Sequence, residues 1–179
     1  ASRSPQAVAE MLADIGLTAG TEQIVTSAQA VLQLAAEEVP AGAKLLIIGA
    51  DSLRDLAREM GFKVVSSADD KPAAVVQGFD RSVGWEHLTE GALAIRQGAK
   101  FFASNLDTSL PMERGLAVGN GSLVAAIQSA TGVDPVSAGK PEPAMFTFAA
   151  KQIGAKKPLA VGDRLDTDIA GGNSAAIDT

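Results

Sequence analysis

The chain has no cysteine, no tyrosine and a single histidine, His87, among its 179 residues. Without cysteine neither a disulfide nor a thiolate metal site can form, and a reducing cytoplasm suits such a chain. One histidine nearly excludes a histidine zinc site, and a Ser-His-Asp hydrolase would have to be built on His87. No apolar run approaches the ~18 residues of a transmembrane helix. The opening ASRSPQAVAE lacks the pattern of a signal peptide. Basic residues are scarce as well: the net charge is −6 and no basic run stands out. That balance argues against nucleic acid or an anionic membrane as a partner. Chemistry here must rest on carboxylates, lysine, arginine, hydroxyls and the backbone.

What is present reads as a globular α/β chain, with 46% hydrophobic and 20% charged residues. SPQAVAEMLADIG offers Ser4 as N-cap, Pro5 at the first helical position and Gly16 as stop, with Val8, Met11, Leu12 and Ile15 on one face. A second helix is expected over 27–38, ended by Pro40. Strands are expected at 44–49, 73–78, 99–104, 135–139 and 158–162, and helices at 52–61, 86–98, 121–132 and 143–154. Strand–helix alternation with short connections predicts crossover units and a largely parallel sheet. Ligands of such sheets sit beyond the carboxyl ends of the strands. Asp163 and Lys140 both fall there.

The stretch VGDRLDTDIAGG (161–172) places Asp163, Asp166 and Asp168 within six positions at a predicted strand end. Carboxylate oxygens are hard ligands that suit Mg²⁺, a cation that takes few protein ligands and keeps waters for a phosphate substrate. The plainer alternative is capping by Asp166 or Thr167, although three mutually repelling carboxylates are more than a cap requires. An EF-hand alignment fails, because Ala170 and Ile177 would occupy ligand positions. Lys140, in SAGKPEPAMF (137–146), is a cation that can meet a phosphate or hold a carboxylate ionised. It is not a Walker A lysine, since Pro141 replaces the required Ser/Thr. GNGSLV (119–124) carries two glycines of a dinucleotide fingerprint, with Val124 in place of the third. It reads better as a turn into a helix. Trp85 and His87 read as packing and capping residues.

GKPEP followed by VGDRLDTDI resembles the third and fourth motifs of the haloacid dehalogenase superfamily. ASRSPQAVAEMLADIG, TSAQAV, AKFFASNLD and GNGSLVAAI match its sugar-phosphatase and p-nitrophenyl phosphatase branch over essentially the whole chain. The resemblance implies a Rossmann-like core with an inserted α/β cap of type C2. Residues 1–41 and 138–179 would belong to the core and 42–137 to the cap. It also implies a Mg²⁺-dependent phosphomonoesterase acting on glycerol phosphate, phosphoglycolate or a sugar phosphate. Lys140 would neutralise the phosphate and hold the nucleophile, Asp163 would bind Mg²⁺, and Asp168 would support the metal site. In the polar stretch SNLDTSLPMERG (104–115), Asn105 and Asp107 match the cap loop that faces the active site, and Arg114 could reach the leaving group. A solvated loop with Asp107 as turn former is the competing account of these three. Arg3 would lie near the core site by the same analogy. Homodimer contacts through the cap are a further implication.

One element of the family pattern is missing. The family's DxDG strand, whose first Asp is the nucleophile, has no counterpart; Asp69 and Asp70 are adjacent rather than alternate. Both ends of the sequence are therefore expected to fall inside a domain, with the nucleophile outside residues 1–179 and no turnover by these residues alone. Two other accounts stand beside this one: a non-catalytic phosphate- or Mg²⁺-binding module, and an assembly domain whose carboxylates only cap a helix.

Overall fold

The computed structural model describes residues 4–179. Helix α1 (Pro5–Asp14) is capped by Ser4, whose Oγ accepts the Ala7 N–H at 3.2 Å. Helix α2 (Ser27–Glu38) opens on a capping box. Thr26 Oγ1 accepts the Gln29 N–H at 3.3 Å, and Gln29 Oε1 accepts the Thr26 N–H at 2.8 Å. There follow β1 (Lys44–Ile48), α3 (Asp51–Glu59), β2 (Lys63–Val65), β3 (Ala74–Gln77), α4 (Trp85–Arg96) and β4 (Lys100–Ala103). A hairpin of β5 (Ser109–Met112) and β6 (Gly115–Val118) leads to α5 (Asn120–Thr131) and β7 (Val136–Ser137). The remaining elements are α6 (Ala144–Gln152), a π-helical turn over Leu165–Ile169 and α7 (Ala170–Ser174).

The main sheet has the order β2-β1-β3-β4-β7, and every neighbouring pair is parallel. Its central strands β1, β3 and β4 are buried on both faces, which is why they read as continuous apolar runs. Side chains alternate between two clusters. Leu45, Ile47, Ala74, Val76 and Phe102 join α2 and α3 on one face. Leu46, Ile48, Val75 and Phe101 meet α4 and α5 on the other. Each such side chain contributes about 1.5–3 kcal/mol by leaving water. Helix α2 is part of this packing through Ala28, Val31, Leu32 and Ala35. The mixed α/β class and the parallel sheet agree with expectation. Among the described residues no helix is long and apolar enough to cross a membrane.

Three expectations about elements change. The strand expected at 158–162 is a single bridge between Leu159 and Asp178, with the Ala160 N–H donating to the Asp178 carbonyl at 2.7 Å. Leu159 and Val161 are exposed. An apolar run becomes a strand only when neighbours supply a ladder, and this one meets a single residue. The stretch 104–115, read as a polar loop, contains β5 and the turn into β6, and the pairing of Ser109 with Val118 and Met112 with Gly115 creates a two-stranded sheet apart from the main one. Its strand character was masked by Ser109, Pro111 and the charged turn. Trp85, expected to pack, is exposed. His87 does cap α4: its Nδ1 accepts the Gly84 N–H at 3.2 Å.

Candidate active site

The carboxyl ends of β4 and β7 set the site. Strand β4 runs into Ser104, Asn105 and Asp107; β7 runs into Ala138, Gly139 and Lys140. A Cβ on Gly139 would stand 2.8 Å from the Asn105 Cα. Glycine is needed there because the two chain segments touch, and the contact places Lys140 beside Asn105. The Lys140–Pro141 peptide bond is cis.

Lys140 Nζ donates to Asp168 Oδ1 in a close ion pair. Asp168 is buried, and its side chain is far more enclosed than that of Lys140. The second Asp168 oxygen, Oδ2, accepts the Arg164 N–H at 3.2 Å, while the Asp168 N–H donates to the Arg164 carbonyl at 2.8 Å. The π-helical turn thus folds the Asp168 carboxylate back over its own start. Such turns are frequent at functional sites. The Lys140 hydrogen bond holds the Asp168 carboxyl below its ordinary range against a desolvation penalty, helped by the Arg164 N–H and by hydrogen-bonding contact with Asp163. Asp166 does not cap the turn. It takes two hydrogen bonds from the Arg164 guanidinium, at 3.2 and 2.8 Å, which lower its pKa.

One open cleft of about 430 Å³ collects Lys140, Asp163, Asp168, Asn105 and Asp107. They come from three separate stretches of sequence, Asn105 with Asp107, Lys140, and Asp163 with Asp168, and the fold alone joins them. Thr26, Ser27, Arg164 and Thr167 line the cleft too. Thr26 and Ser27 bring the N-terminus of α2, whose partial positive charge favours an anion. Arg114 occupies the turn between β5 and β6 and does not line the cleft. Arg3 lies outside the described residues. Sequence reasoning passed over Arg164, although its place inside VGDRLDTDI is the signal that could have found it.

The donor set can be tested for a cation. Asp163 and Asp168 bring two hard carboxylates to the same cleft. No group of three or more candidate ligands gathers among the described residues. Two carboxylates with waters and a phosphate oxygen are what a Mg²⁺-sized ion accepts, so these residues fit one. A fixed ammonium, two carboxylates and a helix N-terminus at one cleft have the chemistry that suits a phosphate group beside a hard cation.

The chain belongs to the haloacid dehalogenase-like hydrolases. The haloacid dehalogenase-like hydrolase model matches residues 1–63, and a second HAD-hydrolase-like model matches residues 137–179. Among characterised relatives, the D-glycerol 3-phosphate phosphatase of Mycobacterium tuberculosis is 49% identical over 177 residues, which are 99% of this chain and 50% of that protein. The 5'-nucleotidase YutF of Bacillus subtilis is 38% identical over 99% of this chain and 69% of its own length. The crystal structure of glycerol phosphate phosphatase from M. tuberculosis in complex with magnesium superposes with a TM-score of 0.94 at 48% identity, covering 99% of this chain and 54% of that one. A variant of the thermostable p-nitrophenylphosphatase from Bacillus stearothermophilus gives 0.92 at 37% identity, covering 99% and 69%. The chain therefore spans half the length of its mycobacterial relative.

Proposed function

We propose that the protein is a Mg²⁺-dependent phosphomonoesterase acting on small phosphate esters such as glycerol phosphate, phosphoglycolate or a sugar phosphate. The observation that carries this reading is the cleft shared by Lys140, Asp163 and Asp168. The relatives named for glycerol phosphate and nitrophenyl phosphate support the class. In this reading 42–137 is the cap, with 1–41 and 138–179 contributing to the core, and α2 docks on the cap's sheet.

Asp163 and Asp168 would hold Mg²⁺, which supplies charge neutralisation at the phosphoryl oxygens. Lys140 lines the cleft beside Asp168. Its ammonium binds a phosphate oxygen and offsets the charge that builds in the transition state. Asp168 fixes Lys140 in that position. Asn105 and Asp107, on the segment after β4, face the ester's leaving group, and Arg114 could reach a longer one from the hairpin turn. The attacking carboxylate would be an Asp outside residues 1–179 that becomes an aspartyl-phosphate. Residues 1–179 alone would then bind phosphate and Mg²⁺ without turnover. The protein would work in the cytoplasm, as a homodimer through the cap.

Mutation of the intact protein tests the reading. Lys140→Ala should lower kcat/KM on glycerol 3-phosphate by about 10²–10³-fold, the usual scale for losing one preorganised transition-state contact. Asp163→Asn should weaken Mg²⁺ binding measured by calorimetry. Unchanged Mg²⁺ affinity would return the carboxylates to a capping role, full activity in both variants would remove Lys140 and Asp163 from the site, and no turnover by the wild-type protein would end the phosphatase assignment.

A further inference from the structure

The carboxyl end of β3 carries a glutamine where a strand buried on both faces calls for an apolar residue. Gln77 follows Ala74, Val75 and Val76 and is 0% exposed, and neither of its amide atoms has a partner among the described residues. A buried amide left unpaired costs stability, so native proteins rarely keep one without a use. Asn120, the first residue of α5, is the complementary case. It is 2% exposed, and its Nδ2 donates to the Asn105 carbonyl at 2.8 Å. That bond fixes which end of the amide is which, and it leaves Oδ1 buried with no partner among the described residues.

The topology brings the two amides to one place. Gln77 is in register with Ile48 of β1 and Ala103 of β4, and both belong to the cluster under α4 and α5. Residues in register on neighbouring strands share a face, so Gln77 lies on that side too. Asn120 is one turn before Val124 on the buried side of α5, and Val124 belongs to the same cluster. Both amides sit at the carboxyl end of the sheet, since Asn120 reaches a carbonyl two residues past β4. Ser52 Oγ is the other buried side-chain atom without a partner among the described residues. It borders a cavity with Thr26 and Ala28, on the α2 face of the sheet. Gln77 Nε2 is thus the unspent buried side-chain donor on the face where Asn120 Oδ1 lacks one.

No direct hydrogen bond joins the two amides. One internal water spans such a gap, accepting from Gln77 Nε2 and donating to Asn120 Oδ1. We infer that Gln77 and Asn120 are joined by a single internal water, and that through this link Gln77 is a positioning residue for the loop carrying Asn105 and Asp107. That loop hangs on the start of α5. Asn120 holds the Asn105 carbonyl, Asn105 Oδ1 accepts the Asp107 N–H at 3.3 Å, and the Gly121 N–H donates to the Asp107 carbonyl at 2.8 Å. Gln77 ties this assembly to the central strand of the sheet. The link stands on geometry alone, whereas its effect on catalysis rests on the phosphatase reading.

Two measurements on the intact protein test the two halves. In the wild type, a water-selective nuclear Overhauser experiment should show a long-lived internal water at the Gln77 side-chain amide protons, and the signal should vanish in Asn120→Ala. Its absence from the wild type overturns the link. Gln77→Met keeps the side-chain length and removes both polar atoms. With Mg²⁺ it should raise KM for glycerol 3-phosphate about fivefold, the scale of coupling between neighbouring groups, with kcat unchanged. Asn120→Ala should raise KM at least as far, and the double variant no further than Asn120→Ala alone. An unchanged KM with a higher Tm in Gln77→Met would make the amide merely unpaired and overturn the positioning role, as would effects that multiply in the double variant. No turnover by the wild type, with the water signal present, would remove the phosphatase reading and the positioning role and keep the link.

Discussion

Lys140 and Asp168 show how a site is built from groups that are ordinary singly. A lysine is by default a solvated surface cation, and an aspartate before a helix is by default a cap. Here Lys140 is held against a buried carboxylate whose other oxygen is occupied by the Arg164 N–H. The Lys140 hydrogen bond, first, and the Arg164 N–H keep the Asp168 carboxyl below its usual range. In the unfolded chain Asp168 would titrate near the ordinary value of about 3.9. Its depressed pKa in the fold means that the contact stabilises the protein above that pH. The contribution is lost as pH falls through the lower, folded-state pKa. In metal-free protein, ¹³C-detected NMR should find Asp168 titrating below the normal carboxylate range, and Lys140→Ala should raise that pKa. An unshifted carboxyl in the wild type would mean that the ion pair does not persist in solution.

Among the elements, the start of α5 is the part that holds the loop carrying Asp107. Gly119 and Gly121 lie against the segment from Leu106 to Thr108, and the backbone carbonyls of Asp107 and Thr108 accept their N–H groups at 2.8 and 2.9 Å. Helix donors that would otherwise be orphaned are satisfied by the loop carrying Asp107. A Cβ on Gly121 would stand 2.1 Å from the Leu106 carbonyl oxygen, and that neighbour is backbone, which cannot swing aside. Gly121→Ala should therefore cost about 1–3 kcal/mol, the scale of overpacking, in urea unfolding. On the proposed function it should also raise KM for glycerol 3-phosphate, because Asp107 moves with the loop. A neutral effect on both would mean that the loop does not need this close approach. GNGSLV reads in the sequence as a turn entering a helix, which is what forms. That the turn anchors Asp107 was not legible, since the partner carbonyls belong to a separate stretch of chain.

At the scale of the whole molecule, two covered faces of a parallel sheet account for most of the core, and the small hairpin stands apart from it. In β6, Leu116 and Val118 point to the same side and are 77% and 61% exposed. Pro111 and Ser109 face them across the pair. Exposed apolar side chains grouped in this way mark an interaction surface, and they support the proposed dimer through the cap. Sedimentation of the intact protein should give a dimer mass, and Leu116→Glu should shift it toward monomer. A wild-type monomer at micromolar concentration would dispose of the proposal.

The sequence by itself determined the alternating elements of the sheet, because a strand buried on both faces must read as an apolar run and a covering helix must repeat at 3.6 residues. It also marked Lys140, Asp163 and Asp168, whose chemistry is unusual for their local positions. Only the tertiary structure decided which runs become strands. Residues 158–162 have the composition of a strand but meet one neighbouring residue, whereas 109–112 lack it and pair fully with 115–118. The tertiary structure also decided that Arg164 lines the cleft while Arg114 does not. Periodicity and capping are local and survive in one dimension. Ladder pairing, a shared cavity and the fate of a hydrogen-bond acceptor depend on groups distant in sequence, and these are defined only once the chain has folded.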